Sequence, residues 1–477
     1  MVVIGTGAGG GTAGFNLARL GRSVLFLERG KLHPPQDTND IRAHRWPDPV
    51  PRIGENMDAR LRLGCGLGGS TSLFAMVMDR FRPIDFTPRA GVQVPPDTSL
   101  PAEWPIQYED LDPYYREAEA LFRVRGTDDP LAPTAGQLLE PPAPSNTEIA
   151  VHDTLKQCGL HSYGVHYACE NVAGCDRCIS KPCSRDCRND AARICMQPAL
   201  KDHGAYILPE CHVLKLEATG NTVRAAICDY NGRRIAIRGR IFILALHALL
   251  TPALLLRSAN EWFPDGLGNR SGMVGRNLML HLTDMLMAQL ETPSGLLNGQ
   301  LQHGLSLNDF YVRDGFKLGN IHAHARDFTN ILNRLPALDE SKGTLLFYTI
   351  LEDFPYPQNR VTPHPENEAE VCWEYHFPNE LRERSRMLAD ALAEALRPMG
   401  DLRILQPSEN LNITHACGTC RFGNNPRTSV LDRNNRIHDL DNAYVLDGSF
   451  FPSSGGIHPS LTIAANSLRV STLIAQS

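Results

Sequence analysis

Two histidines near the carboxyl end are of a type and in a setting that could move protons. His415 opens His415-Ala416-Cys417-Gly418-Thr419-Cys420, and His458 lies in Gly455-Gly456-Ile457-His458-Pro459. An imidazole titrates near neutral pH, so either ring could take or share the proton of a hydroxyl group. Between them Asp447-Gly448 follows a strand-like Ala443-Tyr444-Val445-Leu446. Taken alone, the pattern says only that two imidazoles sit on loops of one sheet, and a lone histidine is more often packed or solvated than catalytic.

A second set of reactive side chains is sulfur. The chain has 13 cysteines, an odd number, and seven of them fall between Cys158 and Cys195. The densest run is Cys175-x2-Cys178-x4-Cys183-x3-Cys187, with Gly174 and Pro182 to turn the loop and Lys181, Arg185, Arg188 and Arg193 interleaved. Clustered thiols in a long chain favour a metal or redox centre over a disulfide scaffold. Nearby cations lower thiol pKa values and offset the negative charge of a thiolate-bound cluster. The spacing differs from the bacterial ferredoxin run, and a structural zinc site or a pair of disulfides stays open. Cys158, Cys169 and Cys195 read as inert or secondary, and His161 and His166 as packed or surface residues.

Whatever these groups do, the opposite terminus must help to position it. Val2-Val3-Ile4 predicts a strand, Gly5-Thr6-Gly7-Ala8-Gly9-Gly10-Gly11 a tight turn, Thr12–Leu20 a helix, and Ser23–Leu27 a second strand ending at Glu28-Arg29. This is the context a dinucleotide fingerprint needs. Gly5, Gly7 and Gly10 let the backbone approach a pyrophosphate, the helix N-terminus favours its charge, and Glu28 can accept from a ribose hydroxyl. Flavin and nicotinamide are not distinguished by this motif. A second glycine stretch, Gly64-Cys65-Gly66-Leu67-Gly68-Gly69-Ser70-Thr71-Ser72, permits another close backbone approach and a capped helix start. It predicts a second wall against a large planar cofactor.

At 477 residues two domains are expected. A net charge of −6 without a basic block argues against nucleic acid as a partner. No apolar run reaches the roughly 20 residues of a membrane helix, so no transmembrane segment is expected. No basic leader with an apolar core opens the chain. The compartment stays open: soluble, either cytoplasmic or exported with a partner.

Five blocks, in order, make the chain resemble the glucose-methanol-choline (GMC) oxidoreductases, which bind FAD. They are the amino-terminal glycine motif with Glu28, the Gly64–Ser72 loop, Trp104–Tyr115, Gly272–Met279 and His415–Pro459. Thr251-Pro252-Ala253-Leu254-Leu255 adds the family's strand-then-helix return. One departure is Ala245-Leu246-His247-Ala248, where the family has a small Ala-Gly-Ala turn.

The resemblance implies an α/β fold in which a Rossmann-like FAD-binding domain (1–80, 195–277 and 406–477) is interwoven with an α+β substrate domain. The latter (81–157 and 278–405) is built on an antiparallel sheet, and 158–195 forms a Cys-rich loop. Strands are expected at Met285–Leu290 and Leu345–Leu351, and a helix with solvated charges at Glu380–Leu396. FAD contacts would come from Gly5, Gly7, Gly10, Glu28, Arg29, Gly64, Gly68, Gly69, Ser70, Asp447, Gly448, His458 and Pro459. His415 would be the general base that assists hydride transfer from a CH–OH group to flavin N5. His458 would orient the substrate oxygen, although the two roles are exchangeable at this level. The cysteine loop is similar to that of bacterial FAD-dependent sugar dehydrogenase catalytic subunits. It implies Cys178, Cys183 and Cys187 as ligands of a three-iron (3Fe-4S) cluster, or a four-iron (4Fe-4S) cluster if Cys175 joins them. Electrons would then pass to a cytochrome-like acceptor protein or small subunit, from a sugar, polyol or related alcohol. The alternative is an oxidase that uses oxygen, with the loop structural.

Overall fold

The computed structural model describes residues 1–32, 52–53, 63–175, 183, 185–293, 304–324, 342–368, 370–404 and 411–477. Two sheets organise them. The first is parallel and five-stranded, in the order Ala443–Val445, Phe242–Leu244, Val2–Ile4, Leu25–Leu27, Tyr206–Leu208. Val2–Ile4 and Phe242–Leu244 at its centre are short apolar runs buried on both faces, as a sheet covered by helices requires, whereas the edge strand Tyr206–Leu208 is partly exposed. In the central pairings Val2 lies opposite Leu25 on one side and Phe242 on the other.

The first helix runs Ala8–Arg19, starting earlier than the Thr12 expected because the glycines are themselves helical. Their absent side chains are what allow it. A Cβ on Gly9 would lie 1.6 Å from the Leu446 carbonyl oxygen, and one on Gly10 would lie 2.1 Å from that of Gly5. Backbone cannot yield as a side-chain tip can. Gly9→Ala is therefore expected to cost at least about 3 kcal/mol, at or beyond the upper end of ordinary overpacking. Thermal melting and the flavin absorbance of the purified variant check this.

The same helix packs on the last one, Ser460–Gln476, where Asn16 donates to Ser471 Oγ at 2.7 Å. Tyr108–Leu121 closes the other side through the 2.8 Å Tyr115–Thr462 hydroxyl pair. The two chain ends thus share one core. Trp104 extends it, its ring against Phe81, Phe86, Phe422, Phe450 and Phe451 and its Nε1 donating to Ser453 Oγ at 2.7 Å.

The second sheet is antiparallel and eight-stranded. Its main path is Gly400–Ile404, Met285–Pro293, Lys342–Leu351, Gly319–His324, Leu305–Leu307, Tyr163–Gly164. Met279–Leu282 pairs with both Lys342–Leu351 and Leu411–Cys417. Asn379–Leu396 covers this sheet, burying Leu381, Leu388, Leu392 and Leu396. Its charges are not all solvated: Arg384 is buried, stacked 4.0 Å over Phe354, and donates to the Lys317 and Glu352 carbonyls. Among the described residues no helix is long and apolar enough to cross a membrane.

Candidate active site

The fit to a dinucleotide is tested at the start of Ala8–Arg19. Its N-cap is Gly7, no side chain caps it, and no acid occupies the first turn. The N–H groups and the positive end of the helix dipole are left for an anion. Gly68 and Gly69 form the facing wall, both with positive φ, and a Cβ on Gly69 would come within 3.1 Å of Gly7 Cα. Ser70 Oγ accepts from Gly64 N at 3.1 Å, and Gly68 N donates to Thr6 Oγ1 at 3.2 Å, which ties the two glycine loops together. Gly5, with φ 96°, packs against the Ala245 carbonyl.

Glu28 is buried and accepts from Thr6 Oγ1 (2.6 Å), Gly30 N (2.9 Å) and Gly66 N (3.2 Å). Burial raises its pKa and these donors oppose the rise. Arg29 follows it, its pKa lowered to about 10 by burial. Asp447 closes the cradle, accepting from Thr251 Oγ1 (2.5 Å), His247 N (3.1 Å) and Ser449 N (2.9 Å). Gly448 O accepts from Gly418 N at 3.1 Å, and Pro459 caps the last helix. An uncapped helix start between two glycine walls, with a buried acid at the second strand, fits FAD.

Next to this cradle lies a row of imidazoles. His281 and His415 come from paired antiparallel strands. The register jumps from Met279–Cys417 to His281–Asn412, five residues against two, and this bulge turns His415 inward. His281 Nδ1 and His415 Nδ1 are 2.9 Å apart. The His415 and His458 rings lie 5.2 Å apart, centroid to centroid, and His458 and His322 5.0 Å apart. His322 Nε2 is 3.9 Å from Asp79, whose other oxygen is 3.0 Å from His166 Nδ1. Burial opposes the charge of His166, but Asp79 outweighs it and lifts the pKa above the ordinary imidazole value. Burial holds His415 well below that value, helped by His281 and His247. His415 is therefore neutral, and base-competent, at pH 7.

The loop that carries His458 is anchored by buried charge. Lys317, without solvent exposure, lies 2.6 Å from Asp85 and 2.9 Å from Glu352. Glu352 accepts from Gly455 N at 3.2 Å, and Tyr311 Oη accepts from Gly456 N at 2.9 Å while donating to Asp85. Gly456 O accepts from Asn320 N at 2.8 Å, tying the loop to the strand of His322. Ile457 also lines a small pocket of about 40 Å³ together with Asp79, Asp129, Tyr163, His166 and Asn308.

The thiols converge elsewhere. Cys169–Cys175, Cys175–Cys187 and Cys183–Cys187 Sγ distances are 3.7, 3.4 and 3.5 Å. Cys178 lies outside the described residues. These distances far exceed a disulfide bond. Cys169, Cys175 and Cys187 place their sulfurs within 4.8 Å of one another, a three-thiol donor set that fits a thiophilic metal, and Cys183 touches it through Cys187. Around one tetrahedral ion with bonds near 2.3 Å, sulfurs stand about 3.8 Å apart, close to the spacing here. Burial raises the Cys183 pKa, but N–H groups of Arg185, Cys187 and Arg188 bring it below the usual value.

The sequence reading passed over His281, His322, Asp79 and Lys317, and set Cys169 aside. His281 had a signal: it lies two residues past the Gly272–Met279 block, the single polar residue of the apolar run Met-Leu-His-Leu.

Residues 8–283 and 360–467 match the amino- and carboxyl-terminal parts of the GMC oxidoreductase family. The chain belongs to that family: it is an FAD-dependent oxidoreductase acting on alcohol CH–OH groups. It is similar to paromamine 6'-oxidase of Streptomyces fradiae, at 29% identity over 100% of this chain and 91% of that protein. It is similar at 30% to 6'''-hydroxyparomomycin C oxidase of Streptomyces lividus, over 99% and 90%. The fructose dehydrogenase large subunit of Gluconobacter japonicus is 26% identical over 99% and 97%. Among solved structures, pyridoxine 4-oxidase from Mesorbium loti shares the fold with a TM-score of 0.71 at 19% identity, covering 100% of this chain and 99% of that one.

Proposed function

We propose that the chain oxidises a hydroxyl group of a sugar to the carbonyl, with aminated sugars the first class to test. The observation that carries this is the contact between His415 and His458 beside the FAD cradle. FAD, when bound by Gly5, Gly7, Gly10, Glu28, Gly68, Gly69, Asp447 and Gly448, supplies the hydride acceptor. His415 takes the hydroxyl proton and His458 holds the oxygen. Asp79 and His322 fix the far side of His458. The two Streptomyces relatives, named for paromamine and a paromomycin, support that substrate class. In this reading 1–80, 195–277 and 406–477 serve the cofactor and 81–157 and 278–405 the substrate.

For the electrons, the reading carried from the sequence is an iron–sulfur cluster on the cysteine loop. Cys178, Cys183 and Cys187 would hold it, with Cys175 as the fourth ligand of a four-iron form, and it would supply one-electron transfer to an outside acceptor or partner subunit. The fructose dehydrogenase large subunit, as a relative, supports a partner. A second reading is favoured by the 3.4–3.7 Å sulfur spacing, which suits one tetrahedral ion, zinc by preference, and by the oxidase relatives. Oxygen would then be the acceptor.

One preparation tests both. Anaerobic loss of flavin absorbance with paromamine, glucose and a simple alcohol reports the substrate. Iron, acid-labile sulfide and zinc per FAD, with oxygen uptake, report the electron path. Three or four irons per flavin with little oxygen uptake is the expected result for the relay. One zinc per flavin with stoichiometric oxygen uptake replaces it with the oxidase.

A further inference from the structure

The hydrogen bonds around His281 determine more than its own position. Its Nε2 lies 2.7 Å from the Gly455 carbonyl oxygen and 3.3 Å from that of Ser454. Carbonyl oxygens only accept, so Nε2 carries the proton. The ring is fully buried, no acid among the described residues is paired to it, and burial lowers its pKa to about 4, so it is neutral at pH 7. A neutral ring protonated on Nε2 has a bare Nδ1. That nitrogen is 2.9 Å from His415 Nδ1. Two nitrogens at that distance share one proton, and His281 Nδ1 has none to give.

We propose that His281 is a positioning residue that holds His415 in the Nδ1–H tautomer and so keeps the His415 Nε2 lone pair for the substrate hydroxyl. The chain of constraint runs from backbone to base: the Gly455 and Ser454 carbonyls set His281, and His281 sets His415. This rests on His415 being the base and adds which of its nitrogens acts. In the step, the substrate O–H breaks and its proton goes to His415 Nε2. The C–H breaks with its electron pair passing to bound FAD, and the C=O forms. His415, then an imidazolium, still donates Nδ1–H to His281. The other charged or titratable groups facing this pair are His247 and His458 beside His415, and Asp85 acting on His281 at longer range. The loop that supplies the two carbonyls is the one that Lys317, Asp85, Glu352 and Tyr311 anchor, so the base and its partner histidine are oriented from a single stretch of backbone.

The test uses FAD-loaded full-length protein, His281→Phe and His281→Gln. Gln can present its carbonyl oxygen to His415 Nδ1–H and its amide to Gly455 O, whereas Phe can do neither. The first readout is independent of turnover. In wild-type protein labelled with 15N-histidine, His415, assigned by the signals lost in His415→Ala, should show a protonated Nδ1 and a bare Nε2. The second readout is the rate of anaerobic flavin reduction against pH. His281→Phe should lose about 10²–10³-fold, in line with the large losses seen when a catalytic histidine is left in the wrong tautomer, and its acid limb should move. His281→Gln should recover to within about tenfold of wild type.

A protonated His415 Nε2 in the wild-type spectrum overturns the proposal. So does His281→Phe with unchanged rate and pH profile, or His281→Gln as slow as His281→Phe. If His281→Phe does not fold, the wild-type spectrum and the His281→Gln profile decide. If His415→Ala reduces its flavin at the wild-type rate, the assignment of the base fails instead, and the spectrum still judges the tautomer.

Discussion

His415→Ala is expected to lower the rate of anaerobic flavin reduction by about 10³-fold while leaving FAD bound, within the 10²–10⁴ range for a positioned general base. The two effects separate because of where the side chain lies. Its ring meets His281 and His458, whereas the cradle is built from Gly5, Gly7, Gly68, Gly69, Glu28 and Asp447, none of which bonds to the His415 side chain. The sign of the pH dependence also follows. Burial, then His281 and His247, hold the His415 pKa well below the ordinary imidazole value near 6.5. Protonation removes the base, so kcat/KM should stay flat from neutral pH down past pH 6.5 and fall only in more acid solution. A limb centred at or above pH 6.5 would place the base on another group. Stopped-flow reduction from pH 4.5 to 8, with bound flavin measured at each point, makes the comparison.

Lys317→Met is expected to cost about 3–5 kcal/mol of stability, the penalty for leaving buried charge without its partner. Asp85 and Glu352 are both fully buried against the Lys317 amine, so its removal strands two carboxylates. Burial disfavours the Lys317 charge, yet the two acids raise its pKa above the usual 10.5. The amine thus stays charged through neutral pH, and its contribution in the wild type is lost only as pH rises through that raised value. Burial already pushes the Glu352 pKa up while Lys317 opposes this, so without the lysine Glu352 should protonate more readily. The melting-temperature deficit of Lys317→Met should therefore be larger at pH 8 than at pH 5. Activity should suffer too, because Glu352 and Tyr311 hold the Gly455–Gly456 backbone ahead of His458. A deficit of less than about 1 kcal/mol in denaturant melts would show that this ion triad does not anchor the loop.

Much of this molecule was legible from residue order. The strand, glycine turn, helix and second strand of the first 28 residues were readable because residue type and order alone carry that pattern, although most contacts that demand its glycines, such as Gly9 against Leu446 and Gly5 against Ala245, come from distant segments. The helix starts earlier than read, since glycines with no side chain give no periodic signal, and the second strand is shorter, Leu25–Leu27. His415 and His458 stood out because each lies in a run of small residues. The clustering of the cysteines raised the expectation of a metal or redox centre, but the run considered did not include Cys169, which lies 3.7 Å from Cys175 and is held by its isolated pairing with Arg188.

The rest depended on distant segments. His281 meets His415 across 134 positions through a strand bulge, and Asp79 reaches His322 and His166 from an unrelated loop. Lys317, a charged residue that composition would place at the surface, is buried because Asp85 and Glu352, from segments far apart in sequence, approach it together. Residue types and local spacing determined which chemistry was available. Which nitrogen is bare and which lysine is buried were decided only by tertiary structure, because protonation and charge burial depend on partners that chain folding alone brings within hydrogen-bond distance.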